Sequence, residues 1–322
     1  MGILGPDGAY RNIGTVVLGG GVGGARMARA LAAVVPPRSL TVVVNVGDDD
    51  DFHALRVCPD LDTVVYTLAG IEGTEGWGRS DDSFFVLDAL AALGADVTFR
   101  LGDADLATCL FRTSQLASGA PLSVVTARIA DRFGVAARVI PVTDDPVRTR
   151  VRTAAGEWLA FQDYFVARHH RDPVAEVEYA GAAAASLAPE VAGAISAADI
   201  VVVAPSNPVL SIGPMLAVPE LGDALAAHRR VVAVSPFFAG RALKGPAAAV
   251  LDSMGLPPGN RGLLEVYRGL VTDLVVDEGD AAEAPGLTDQ GVAVHVAPTL
   301  LTGPDLGAGL ARRVLDLGDR PG

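Results

Sequence analysis

Four runs along the chain are short, continuous and largely apolar: Gly14–Leu18, Leu40–Val46, Ile200–Ala204 and Val231–Ser235. Each empties into a polar or Pro/Gly-rich loop. A short, unbroken apolar run is what a strand buried on both faces of a parallel sheet requires, because neither face meets water. Apolar residues at helical spacing predict helices over Ala25–Val35, Asp82–Leu93, Asp105–Ser118, Leu122–Phe133, Pro189–Ala197, Pro219–His228 and Gly245–Met254. Further strands are expected at Leu274–Asp277 and Val292–Val296, with a closing helix at Gly307–Leu317. Strands alternating with helices imply right-handed crossovers and a Rossmann-like, doubly wound, mostly parallel α/β sheet.

One stretch breaks this rhythm. From Arg138 to Val166 the pattern alternates and is punctuated by Asp144-Asp145-Pro146 and Ala155-Gly156, which predicts a small β-meander. No internal repeat is visible. The expected organisation is a single α/β domain over 1–322, its core at about 13–135 and 190–322 and its insertion at about 136–189.

Composition narrows the function classes. The chain has 322 residues, half of them apolar, enough for one large core. A net charge of −13 argues against a nucleic-acid partner, which needs a basic face. It does not argue against an anionic small molecule, since local donors and a cation outweigh distant charge. Cys58 and Cys109 stand apart from any second thiol or histidine pair, against a zinc site and in keeping with a reducing cytoplasm. No uninterrupted apolar run approaches the length of a membrane span, so no membrane partner is expected.

The chemistry gathers in two loops. Residues 18–26 read Leu-Gly-Gly-Gly-Val-Gly-Gly-Ala-Arg after the first strand, and Gly47 with Asp48–Asp51 follows the second. A glycine loop opening a helix offers backbone N–H groups and a positive dipole end to phosphate. A carboxylate run repels phosphate unless a divalent cation lies between. The two together suggest a metal-bridged di- or triphosphate. Gly19, Gly21 and Gly24 also fit G-x-G-x-x-G, but the second strand closes on Asn45, where a nicotinamide site wants an acid for the ribose. Glycines kept only for helix–strand packing, and aspartates in a solvated turn, are the plainer alternatives. Against the solvated turn stands Cys58-Pro59-Asp60-Leu61-Asp62-Thr63, a second acidic segment ahead of an apolar helix pattern over Thr63–Leu68. Residues 204–214, Ala-Pro-Ser-Asn-Pro-Val-Leu-Ser-Ile-Gly-Pro, supply polar groups on a proline-stiffened loop. Gly102–Thr108 reads as a helix start with acids in its first turn, which local structure alone explains.

Together the segments Gly19–Arg26, Val44–Asp49, Cys58–Tyr66, Gly102–Thr108, Phe161–Phe165 and Pro205–Pro214 resemble the 2-phospholactate transferases of coenzyme F-420 biosynthesis. That group includes an actinobacterial type with a phosphoenolpyruvyl donor. The resemblance implies a donor that is a guanosine diphosphate diester carrying a three-carbon acid. It implies as acceptor the deazaflavin precursor Fo (7,8-didemethyl-8-hydroxy-5-deazariboflavin), whose terminal ribityl hydroxyl attacks phosphorus while GMP leaves. By the same analogy Asp48 and Asp62 hold Mg²⁺ and are catalytic. Gly20, Gly21, Gly23, Gly24, Arg26, Ser206 and Asn207 contact nucleotide and phosphate, and Trp77, Ser211, Ile212 and Gly213 contact the deazaflavin. A cytoplasmic homodimer is implied as well.

Two positions depart from the family pattern Gly-Asp-Arg-Asp-x-Ala-Thr-His: Ala104 and Cys109 stand in place of its Arg and His. If that pair grips an acidic group, Arg79, Arg100, Arg112 and Lys244 are the available replacements. A rival reading is a non-catalytic regulator of the same fold that binds nucleotide sugars. The Phe161–Tyr164 segment, expected as a strand, and the Ser206–Pro214 loop favour the transferase over it.

Overall fold

The computed structural model describes Tyr10 and residues 13–242 and 245–318. Lys244 lies outside the described residues. The four apolar runs become β1 (Thr15–Gly19), β2 (Leu40–Val44), β4 (Ile200–Val203) and β5 (Val231–Val234), with every residue buried. β3 (Arg138–Pro141), β6 (Asp273–Val276) and β7 (Ala293–Val296) complete a seven-stranded sheet. Its order is β7-β6-β5-β4-β1-β2-β3 and every pairing is parallel. The strand order therefore reverses between β1 and β4. In an open parallel sheet a crevice forms at such a switch point, beyond the carboxyl ends of the strands.

The expected insertion is corrected at its start. Arg138–Pro141 is an edge strand of the central sheet, paired Thr41↔Arg138 through Val44↔Pro141, and does not belong to the insertion. Its leading arginine is exposed and its other three residues are buried, so the run lacks the unbroken apolar signature of a central strand. The insertion does hold a small antiparallel sheet, but not the expected meander. Arg148–Thr153, first in sequence, lies between Trp158–Ala160 and Val174–Ala180, so the second and third strands flank the first and do not pair with each other. It docks on the core through Thr149 N to the Gly47 carbonyl (2.7 Å) and Tyr179 OH to the Val209 carbonyl (2.7 Å).

Five helices position the site: α1 (Gly21–Ala32), α2 (Pro59–Ala69), α3 (Phe85–Ala92), α4 (Asp103–Ala117) and α5 (Leu122–Arg132). α1 packs beside both α2 and the closing helix Pro304–Gly318. α2 starts four residues earlier than its apolar pattern suggests, so Asp60 and Asp62 lie in its first turn. There they face the positive end of the helix, a favourable place for carboxylates. α3 and α4 cap one another. The Asp103 carboxylate accepts from Phe85 N and Val86 N (both 3.0 Å), and the Asp82 carboxylate accepts from Ala104 N (2.8 Å) and Asp105 N (3.0 Å). Two expected loops or strands prove helical: Asp163–Ala167 and Pro208–Ile212 are each a wide helical turn. Among the described residues no single helix is long and apolar enough to cross a membrane.

Candidate active site

A cleft of about 830 Å³ opens along the carboxyl edge of the sheet. Its floor comes from the segments after β1 and β4. One wall is Phe161–Gln162 and Phe165–Ala167 from the insertion, and the other includes Thr98–Leu101 between α3 and α4.

Gly20 caps α1 and Gly21 has φ +61, a conformation that suits a residue without a side chain. The loop is held from two sides. The Ser206 hydroxyl donates to the Gly20 carbonyl (2.9 Å) and accepts from Gly20 N (3.3 Å), while Gly21 N donates to Asp60 Oδ1 (2.7 Å). A Cβ on Gly23 would stand 2.3 Å from the Pro205 carbonyl oxygen, so only glycine lets the two loops of the switch point meet. Gly24 packs on Gly19 and does not line the cleft. For Gly24 the plainer packing role is what the structure shows. Gly20, Gly21, Gly23 and Arg26 do line the cleft, and the amides of the first turn of α1 lack acceptors within the helix.

Asn45, buried just beyond β2, organises the acidic side. Its Oδ1 accepts from Gly47 N (2.8 Å), which turns its Nδ2 toward two carboxylates, Asp48 Oδ1 (3.0 Å) and Asp60 Oδ2 (2.9 Å). Gln162 of the insertion donates to the Asp48 carbonyl (2.8 Å). Asp62 is ion-paired with the buried Arg112. Asp105 accepts from Tyr66 OH (2.8 Å), and its carboxylate lies close to Asp62 and the Cys109 thiol. The Asp48–Asp51 run thus divides. Asp48 and Asp49 are buried, whereas Asp51 pairs with Arg56 on a surface hairpin. Burial, reinforced by Asp60, pushes the Asp48 carboxyl well above the usual range. Burial likewise lifts Asp60 to about 6, and burial together with the Asp62 charge lifts Asp105 to about 7. Asp62 is also raised by burial, against the pull of Arg112.

Asp48 and Asp62 therefore share the cleft with the glycine loop, as their pattern suggests. Asp60 and Asp105 join them in the cleft, and the buried Asn45 bonds both Asp48 and Asp60 without lining it; none of the three was assigned a site role from the sequence. The signal for Asp60 was its place two residues before Asp62 in Pro-Asp-Leu-Asp-Thr, within the same first turn of α2. Asp105 was hidden because an acid in a first helical turn has a sufficient local explanation.

The other expected contacts fall differently. Asn207 Oδ1 caps the turn behind it, accepting from Val209 N (3.0 Å) and Leu210 N (2.9 Å), although the residue also lines the cleft. Ser211 and Trp77 line the cleft, but Ile212 and Gly213 are buried behind the wall. Gly213 is glycine because the Tyr179 ring and hydroxyl occupy the space a Cβ would take. The Trp77 ring lies over Gly21, where Cη2 would be 3.5 Å from an added Cβ, at the glycine-loop end of the cleft.

Geometry and kinship agree. The family model for 2-phospho-L-lactate transferase CofD matches residues 15–293. The chain is 42% identical to a phosphoenolpyruvate transferase of Streptomyces coelicolor, across 94% of this chain and 98% of that one. It is 40% identical to a 2-phospho-L-lactate transferase of Methanopyrus kandleri, across 94% and 97%. A crystal structure of a UPF0052 family protein from Bacillus halodurans overlays with a TM-score of 0.62 at 16% identity, across 94% and 99%, a likeness of fold alone. With its glycine loop, acidic cluster and switch-point cleft set within the matched span, the chain belongs to the 2-phospho-L-lactate transferase CofD family.

Proposed function

We propose that this transferase moves a phospho-three-carbon-acid group, 2-phospholactate or phosphoenolpyruvate, from a guanosine diphosphate diester to the terminal ribityl hydroxyl of Fo. The observation that carries the reading is the single cleft in which first-turn helix amides and four buried carboxylates converge. One end suits a diphosphate. The other suits a hard divalent cation, since carboxylate oxygens are what Mg²⁺ takes. Asp62 alone of Asp48, Asp60, Asp62 and Asp105 is neutralised by a buried arginine, which leaves a surplus of negative charge that fits a cation. Asp48 and Asp62 would hold Mg²⁺, with Asp60 beside Asp48 on the shared Asn45 amide. When bound, the ion supplies neutralisation of charge on the diphosphate oxygens.

The remaining work falls to the chain. The hydroxyl oxygen of Fo forms a bond to the phosphorus that bears the acid, the bond from that phosphorus to the bridging oxygen breaks, and GMP leaves with that oxygen. The hydroxyl proton passes to a carboxylate. Asp48 suits this better than Asp62, because Arg112 holds Asp62 as the charged partner of an ion pair. The Ser206 clamp and Asp60 fix the glycine loop before the nucleotide arrives, which limits the ordering cost of binding. Trp77 belongs with the nucleotide end in this arrangement, and Ser211 with the acceptor. The reading includes a homodimer acting in the cytoplasm.

The test is a chromatographic assay with Mg²⁺, Fo and guanosine diphosphate diesters carrying lactate, enolpyruvate and glycerate. A new anionic deazaflavin appearing in step with GMP supports the reading and names the donor. Failure with all three overturns it.

A further inference from the structure

We infer that Arg100 binds the carboxylate of the donor's three-carbon acid, an assignment that rests on the transferase reading above. Four basic residues were open replacements for the missing family arginine and histidine, and the geometry separates those that are described. Arg112 is 1% exposed and committed to Asp62, with a further bond from Nη1 to the Arg56 carbonyl (3.3 Å). Arg79 lies over the rings of Phe133 (5.2 Å) and Tyr66 (5.9 Å), reaches the Ala104 carbonyl (3.5 Å), and does not line the cleft. Arg100 does line it.

Its guanidinium is pre-positioned without being consumed. It lies 4.5 Å from the Phe84 ring centroid, and among the described residues no carboxylate pairs with it. A cation stacked on an aromatic face keeps its N–H groups in the ring plane available for a planar anion. The residues on either side are anchored next to the acidic side of the cleft. Phe99 stacks on Phe52 of the hairpin that follows Asp48 (4.1 Å), and Leu101 packs with Val57 and Cys109. Arg26, the other arginine in the lining, stands on α1 behind the glycine loop, at the nucleotide end.

Charge complementarity identifies the ligand group. The transferred phosphorus must sit near Asp48 and Asp62, and the acid's carboxylate is attached within a few bonds of it. A fixed carboxylate entering a region that already holds Asp48, Asp60, Asp62 and Asp105 needs a cation of its own. Among the described residues, Arg100 is the arginine that lines the cleft on that side, and its planar fork matches a carboxylate.

The experiment compares two donors on two proteins: the acid donor and its carboxamide, on wild type and on Arg100→Gln, with Arg100→Lys as the conservative variant. Wild type is expected to favour the acid donor, and Arg100→Gln to lose about tenfold to a hundredfold in kcat/KM on it, the range of one charge-assisted contact. Activity on the carboxamide and inhibition by GDP should be unchanged in that variant, and Arg100→Lys should recover part of the loss. Equal losses on both donors, weakened GDP inhibition, or a change confined to the KM for Fo would each overturn the assignment. If wild type binds GDP but turns over no donor, the transferase reading itself fails; if it turns over the acid and Arg100→Gln does so equally well, only the Arg100 assignment fails.

Discussion

Replacing Arg112 by methionine tests the electrostatic frame of the site. Arg112 is almost fully buried on α4, and its charge is balanced by Asp62. Removing one partner of a buried ion pair costs about 3–5 kcal/mol, because the other charge stays behind without compensation. At about 1.5 °C per kcal/mol for a chain of this length, Tm should fall by roughly 5–7 °C. The loss should depend on pH with a definite sign. Arg112 holds down the carboxyls of Asp62, Asp49 and Asp105, all of which burial pushes up. Without it their folded values rise further above the unfolded ones, so the folded state binds more protons than the unfolded state. Stability of the variant should therefore improve as pH falls from 8 to 5, relative to wild type. Urea unfolding with a chelator present reads both effects. Asp62→Asn added to Arg112→Met should cost less than the sum of the single changes, as coupled partners require. A loss under about 1 kcal/mol, additive single changes, or a penalty that grows toward acid would refute the reasoning.

Three further expectations follow from other contacts. Gly23→Ala should lower stability by about 1–3 kcal/mol, since its Cβ meets the Pro205 carbonyl oxygen and both loops must shift; transfer should drop as well. Unchanged Tm and activity would contradict the packing at the switch point. Burial alone would raise the Asp273 carboxyl, but hydrogen bonds with His295, Thr272 and Arg230 hold it down to about 2. Its stabilisation, roughly 2 kcal/mol, is complete above about pH 4 and is lost as pH falls through 2. Asp273→Asn should flatten the acid limb of the stability curve over that window, and an unaltered limb would tell against the cluster. GDP with Mg²⁺ should quench tryptophan fluorescence through Trp77, which lies over Gly21, and Trp77→Phe should abolish the change; a signal persisting from Trp158 alone would move Trp77 away from the nucleotide.

How much of this was legible in the chain depends on how local the cause was. β1, β2, β4 and β5 announce themselves because burial on both faces demands unbroken apolar runs. β3 was absorbed into the insertion because it is an edge strand with an exposed leading residue. The helix Gly259–Val266 was missed, two of its eight residues being glycine. In the site, Asp48 and Asp62 stood out as acids near a glycine loop, while Asn45 did not. Its importance lies in which two carboxylates its amide reaches, and one of those, Asp60, is on another element. Ser206 was legible as a polar residue on a stiff loop, but not as the clamp on Gly20, which arises only when β1 and β4 lie side by side. Ile212 and Gly213 looked accessible in a proline-rich loop and are instead buried in helical segments.

The most direct measurement is single-turnover transfer with Asp48→Asn beside wild type. Both receive Mg²⁺, Fo and the three guanosine diphosphate esters, with deazaflavin product and GMP followed together. The account predicts equal amounts of product and GMP from wild type with at least one ester, and neither from Asp48→Asn although it still binds GDP. Product formed at the wild-type rate by Asp48→Asn, or GMP released by wild type without any deazaflavin product, would contradict it.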